Sequence, residues 1–160
     1  MTRRNELLKA LEATPRDLAR ILRGTDPSTR GTRPAPDQWS VSDVVNHLIS
    51  VEARTLARLR RVAQEENPIL PYLLPDPENH DLAASLDDLL TDFTGARAQT
   101  LAYLLPLPSG VWARPATFEN GQRITFRYLV QLIVDHDTEH LYQLTSHPLI
   151  SSSPIRIIKK

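Results

Sequence analysis

At 160 residues, 41% hydrophobic and 24% charged, the chain has the size and composition of one globular domain, able to remove about 70% of its unfolded surface from water. Lysine plus arginine and aspartate plus glutamate each number 19, so the chain lacks the basic excess that nucleic-acid binding normally needs. It contains no cysteine, which excludes disulfides, thiolate metal sites, iron–sulfur clusters and cysteine nucleophiles.

The first periodic block carries Leu7, Leu8, Leu11, Leu18 and Leu22 on one stripe, interrupted by Thr14-Pro15. A proline there costs a helix interior about 3 kcal/mol, so a kink or a restart capped by Thr14 is expected. A second block opens on Ser40-Val41-Ser42-Asp43, the pattern of a capping box. Its buried face runs through Val41, Val44, Val45, Leu48, Leu56, Leu59 and Val62. The third block runs from about Asp81 to Leu105, with Leu82, Leu86, Leu89, Phe93, Thr100 and Leu104 inward. The Asn120-Gly121 pair marks a tight turn, and Pro115 to Ile124 reads as a small hairpin-like excursion. The fourth block runs from about Thr125 to His147, with Phe126, Leu129, Ile133 and Leu144 inward.

Proline clusters separate these blocks, and none shows the alternation of a half-buried strand. The expected fold is therefore all-α, an antiparallel four-helix bundle over residues 1–150. Residues 151–160 form a tail whose Ile155, Ile157 and Ile158 fit disorder, an added strand or a partner contact equally. No apolar run approaches the ~20 residues that cross a bilayer, and Met1-Thr2-Arg3-Arg4-Asn5-Glu6 leads into no secretory segment. A cytoplasmic protein with no membrane partner is the expectation.

Five histidines are the remaining source of chemistry. At about 100° per residue, His136 and His140 fall one turn apart within the inward stripe of the fourth helix. Two imidazoles at that spacing can share one ion; they can equally be core histidines satisfied by neighbouring carboxylates or carbonyls. His47 lies at the edge of the second helix's apolar stripe, where a side chain reaches across an interhelical groove. Together the three would form an N3 set with open positions for water or substrate. Glu52, on the apolar face of the second helix, reads as a buried salt bridge to Arg97. His80 in its proline-rich loop and His147 before Pro148 read as solvent-facing or structural. No Gly-x-Ser-x-Gly elbow and no glycine-rich phosphate loop is present.

Three motifs carry a family resemblance. Trp39-Ser40-Val41 leading into Asn46-His47-Leu48, with Glu52 following, resembles the second-helix motif of the DinB/YfiT-like superfamily. His136-Asp137-Thr138-Glu139-His140, followed by Leu141 and Gln143, resembles its fourth-helix motif, and the leucine-rich pattern around Pro15 resembles its first helix. The similarity spans roughly residues 5–147. It implies an up-down-down-up four-helix bundle with a long crossover, supplied here by 67–80. It also implies a divalent metal, zinc, nickel, iron or manganese, on His47, His136 and His140.

Members resembling this chain include thiol S-transferases, isomerases and hydrolases, and are commonly homodimers. The expected function is thus a metal-dependent transferase or hydrolase acting on a small molecule, with a low-molecular-weight thiol as cosubstrate. No general base is identifiable from the sequence; Asp43, Glu52 and Asp137 are candidates only, since none is placed near the metal by its position in the chain. The alternative is a non-catalytic bundle whose histidines pack, or bind metal only for stability.

Overall fold

The computed structural model describes residues 3–72 and 80–150. Its frame is four helices, α1 (Arg3–Leu22), α2 (Val41–Gln64), α3 (Leu86–Leu104) and α4 (Phe126–Thr145). Contacts between their side chains set the directions. Arg3 reaches Gln131 and Thr14 reaches Asp137, so α1 and α4 run parallel. Asn46 reaches Asp81 just before α3, Glu52 meets Arg97 at mid-helix and Arg60 lies over Tyr103 near both ends, so α2 and α3 run parallel as well. Arg4, at the start of α1, donates to the Leu104 and Leu107 carbonyls at the end of α3, so the two pairs are opposed. The topology is up-down-down-up.

Helices α2, α3 and α4 each begin at a capping side chain, Ser40, Ser85 and Thr125. The Ser40 hydroxyl accepts from the Asp43 amide while the Asp43 carboxylate accepts from the Ser40 amide, closing the expected capping box. The third helix departs from expectation: it starts at Leu86, capped by Ser85, rather than near Asp81. The Asp81 carboxylate accepts the amides of Ala83 and Ala84, which holds that stretch as a turn and leaves Leu82 exposed instead of inward.

Between α2 and α4 lies a small sheet of β1 (Ile69–Leu70), β2 (Pro115–Phe118) and β3 (Arg123–Thr125), in that order. The expected hairpin is β2–β3, antiparallel, with Gly121 at φ +86° in its loop. Strand β1 pairs with β2 in parallel, and its two residues are too few to carry a period in the sequence.

The core is two clusters. One joins Leu7, Leu11, Leu59, Leu104 and Leu129 to the sheet and the buried Trp112. The other joins Leu18, Val41, Val44, Leu48, Phe93 and Leu144 at the opposite end of the bundle. A layer of buried polar groups separates them: Thr14, Glu52, Thr55, Arg97, Thr100 and Asp137.

Arg97 ties that layer together. It donates to both Glu52 oxygens at 2.7 and 2.9 Å and to both Asp137 oxygens at 2.7 and 2.9 Å. Burial pulls its pKa down, but the two carboxylates more than offset this and hold it above the usual arginine value. A fifth bond, to the Leu11 carbonyl at 3.0 Å, explains how Pro15 sits inside an unbroken α1. Proline has no N–H for the carbonyl four residues back, and Arg97 supplies the missing donor. The expected restart of the helix at Thr14 is therefore corrected: the Thr14 hydroxyl donates to Asp137 Oδ2 at 2.7 Å.

Among the described residues no helix is long and apolar enough to cross a membrane. The tail at 151–160 and half of the crossover, 73–79, lie outside the described residues.

Candidate metal centre

Helix α2 carries His47 in its second turn, and α4 carries His136 and His140 one turn apart. The fold brings the three rings together on the side of the bundle where α2 and α4 meet. His47 Nε2 stands 2.9 Å from His136 Nε2, and His140 Nε2 stands 3.0 Å from the same atom. One nitrogen from each residue falls within 4.8 Å of the other two, a group that could hold a metal ion. All three are half-buried.

The protonation of the rings follows from their partners. His140 Nδ1 lies 2.7 Å from the Gln143 amide oxygen, so Nδ1 carries the proton and Nε2 presents its lone pair to the centre. His136 is held neutral: burial, then the neighbouring His140 and His47 rings, push its pKa down to about 4. A single imidazole nitrogen has one proton or one lone pair in its plane, so hydrogen bonding satisfies at most one of the two contacts at His136 Nε2. One cation among the rings satisfies all three. Nitrogens 2.9 and 3.0 Å apart suit an ion about 2.0–2.1 Å from each. The donor set fits a divalent metal.

Trp39 walls the centre on one side. Its ring stacks near-parallel to His140 at 6.4 Å, tilts against His47 at 4.9 Å, and meets His80 edge-on at 5.5 Å. In the sequence Trp39 and Gln143 stand out only as parts of motifs; their positions one residue before a cap and three after a ligand candidate carry no sign of these contacts.

The other candidates settle elsewhere. Of the two roles open to His80, the structural one holds: its Nδ1 meets Asp43 Oδ1 at 2.8 Å and its side chain is 9% exposed. It turns inward to the α2 cap rather than to the three imidazoles. His147 takes the structural role expected, with Nε2 donating to the Trp39 carbonyl and Nδ1 accepting from the Leu149 amide.

None of the three proposed general bases is available. Glu52 and Asp137 are spent on Arg97. Asp43 binds Arg33, His80 and Ser40, and these bonds outweigh the upward push of burial to hold its carboxyl below the usual carboxylate range. The Glu52–Arg97 pair and the Ser40–Asp43 box are those expected; the Asp137 pairing with Arg97 and the Arg33 and His80 contacts of Asp43 lie between elements and leave no local pattern.

The molecule is thus an up-down-down-up helical bundle with a three-histidine group between its second and fourth helices. The model of the DinB superfamily matches residues 10–144, and the chain belongs to that superfamily. It is similar to YfiT from Bacillus subtilis, described as a probable metal-dependent hydrolase with an unusual four-helix bundle topology. That likeness has TM-score 0.75 and 19% identity, over 91% of this chain and 86% of YfiT. The four-helix bundle protein TT2238 matches with TM-score 0.67 and 25% identity, over 90% of this chain and 99% of its own. A mycothiol-dependent maleylpyruvate isomerase matches with TM-score 0.70 and 15% identity, over 89% of this chain and 61% of its own. No curated protein matches the chain.

Proposed function

We propose that the protein binds one divalent metal ion on His47, His136 and His140 and is a metal-dependent transferase or hydrolase of small molecules. The observation that carries this reading is the pair of contacts at His136 Nε2, which hydrogen bonding alone leaves unsatisfied. The metal-dependent description of YfiT and the thiol dependence of the isomerase support it. Bound there, the ion would lower the pKa of a coordinated water or thiol and supply a nucleophile near neutral pH.

The chain's own residues prepare the site. Gln143 fixes the tautomer and orientation of His140. Burial keeps His136 unprotonated, so its lone pair is available at neutral pH. Trp39 covers one side of the rings and restricts water there. With no cysteine in the chain, a transferred thiol comes from a small-molecule cosubstrate. A cytoplasmic homodimer completes the proposal; light scattering that gives only monomer at every concentration would remove the dimer.

Metal content of protein purified without a polyhistidine tag, together with chelator sensitivity of melting, tests the centre. His47→Ala, His136→Ala and His140→Ala each lose most of the metal, while His80→Ala keeps it. If the His136 and His140 variants bind metal and melt like the parent, the centre does not exist. Thiol transfer to a reactive electrophile and ester hydrolysis, assayed on the loaded protein, then decide between transferase and hydrolase.

A further inference from the structure

Beside the three imidazoles, a pocket of about 160 Å³ runs along the groove between α2 and α4. His136 closes one end. The walls are Val51 and Thr55 on one side and Leu129, Leu132 and Ile133 on the other. The Thr55 hydroxyl is turned into its own helix, donating to the Val51 carbonyl at 2.7 Å, so these walls offer little polarity. Arg58, three turns along α2 from His47, also lines the pocket and is its cation.

Arg58 differs from the arginines that neutralise buried carboxylates, and from Arg4, Arg30 and Arg114, whose guanidinium groups are held by two or more backbone carbonyls. Arg33 holds Asp43, and Arg97 holds Glu52 and Asp137. Arg58 takes no carboxylate among the described residues. Its Nη2 donates to the Pro71 carbonyl at 3.3 Å, its Nε–H is buried without an acceptor, and its guanidinium lies over the Phe118 ring at 5.2 Å. Burial without a counter-ion pushes its pKa down. A charge in that condition is costly unless paired, and the ring of Phe118 and the Pro71 carbonyl hold the plane of the group in place while leaving its charge unmet.

We propose that this pocket takes the apolar body of a small carboxylic acid and that Arg58 receives its carboxylate. The inference rests on the reading of the imidazoles as the reacting centre and names the class of substrate for it. An acid anchored at Arg58 extends its body along the Leu132 wall and presents its other end to His136. A cavity of about 150 Å³ accommodates benzene, so the body is one six-membered ring or a chain of similar bulk. Arginine suits the task better than lysine, because its planar fork pairs two N–H groups with one carboxylate.

Benzoate is the probe, with benzamide as its uncharged counterpart, titrated calorimetrically into chelator-treated protein so that binding is read without metal or turnover. Benzoate saturates the parent, and Arg58→Gln weakens it at least tenfold while binding metal as the parent does. Benzamide binds parent and variant alike, and no more tightly than benzoate binds the variant. Leu132→Trp, which fills the pocket from the opposite wall, gives the same loss with the charge intact and serves if Arg58→Gln does not fold. Equal affinity of parent and Arg58→Gln for benzoate, equal affinity of the parent for both probes, or no saturation of the parent overturns the proposal. Because the metal is absent throughout, failure of the metal centre and failure of this pocket are read separately.

Discussion

Replacing Arg97 with methionine strips the buried layer of its cation while keeping much of its bulk. Two carboxylates, Glu52 and Asp137, then stand buried without the group that accounts for four of their bonds. Removing one partner of a buried ion pair costs about 3–5 kcal/mol. The Leu11 carbonyl loses its donor as well, adding about 1–3 kcal/mol. The sum is a large share of the 5–15 kcal/mol that holds a typical domain together.

Pro15→Ala separates the two terms, because an alanine amide at position 15 points at the same Leu11 carbonyl. In the parent that carbonyl is already satisfied, so the substitution gains mainly helix propensity. Beside Arg97→Met it also restores the missing donor, and its gain rises by about 1 kcal/mol or more. Urea unfolding of the parent, both single variants and the double variant, followed by circular dichroism, measures this coupling. If Pro15→Ala stabilises both backgrounds equally, within the roughly 0.5 kcal/mol expected of independent sites, then Arg97 does not compensate for the proline.

Acid is expected to weaken the metal-free protein through His136. Its folded pKa of about 4 lies below the unfolded value, about 6.5, so the contribution is complete above pH 6.5 and is lost as pH falls toward 4. The loss is at most about 3 kcal/mol, less what solvent screens at a half-buried ring; melting from pH 7 to 4.5 should fall less steeply for His136→Gln. Gln143→Leu frees the His140 tautomer and should weaken metal binding about 10–100-fold, with Gln143→Glu retaining most of the affinity; a competition titration against a chromophoric chelator reads both. Asp43→Ala removes the α2 capping box together with the Arg33 and His80 contacts. It should lower stability by about 2 kcal/mol or more, and an unchanged melting temperature would show that the cap is dispensable.

Local pattern along the chain specifies the helices, most of their inward faces and the direction in which the ligand candidates point. Periodicity near 3.6 residues is a local property, and it placed Leu7, Leu48, Phe93 and Leu144 in the core, where they are buried. It also set His136 and His140 on one face, and a short motif recognisable as a family's own joined His47 to them. The capping box at Ser40 and the turn at Gly121 are likewise local, since their bonds close within four residues.

What tertiary structure decided is every property that depends on a partner distant in the chain. Whether Asp43 and Asp137 are free bases or spent ion-pair partners rests on Arg33, His80 and Arg97, ten to 40 residues away; only Glu52, a carboxylate on an apolar face, announced its partner beforehand. Pro15 reads locally as a helix breaker, and it is accommodated by a donor 86 residues from the carbonyl it orphans. The parallel pairing of Ile69 with Thr117 and the setting of Arg58, against Pro71 and Phe118 with no carboxylate among the described residues, belong to the same class. Hydrogen bonds and ion pairs are short-ranged in space and indifferent to sequence separation, so the pattern of residues along the chain names the candidates and only the packed bundle chooses among them.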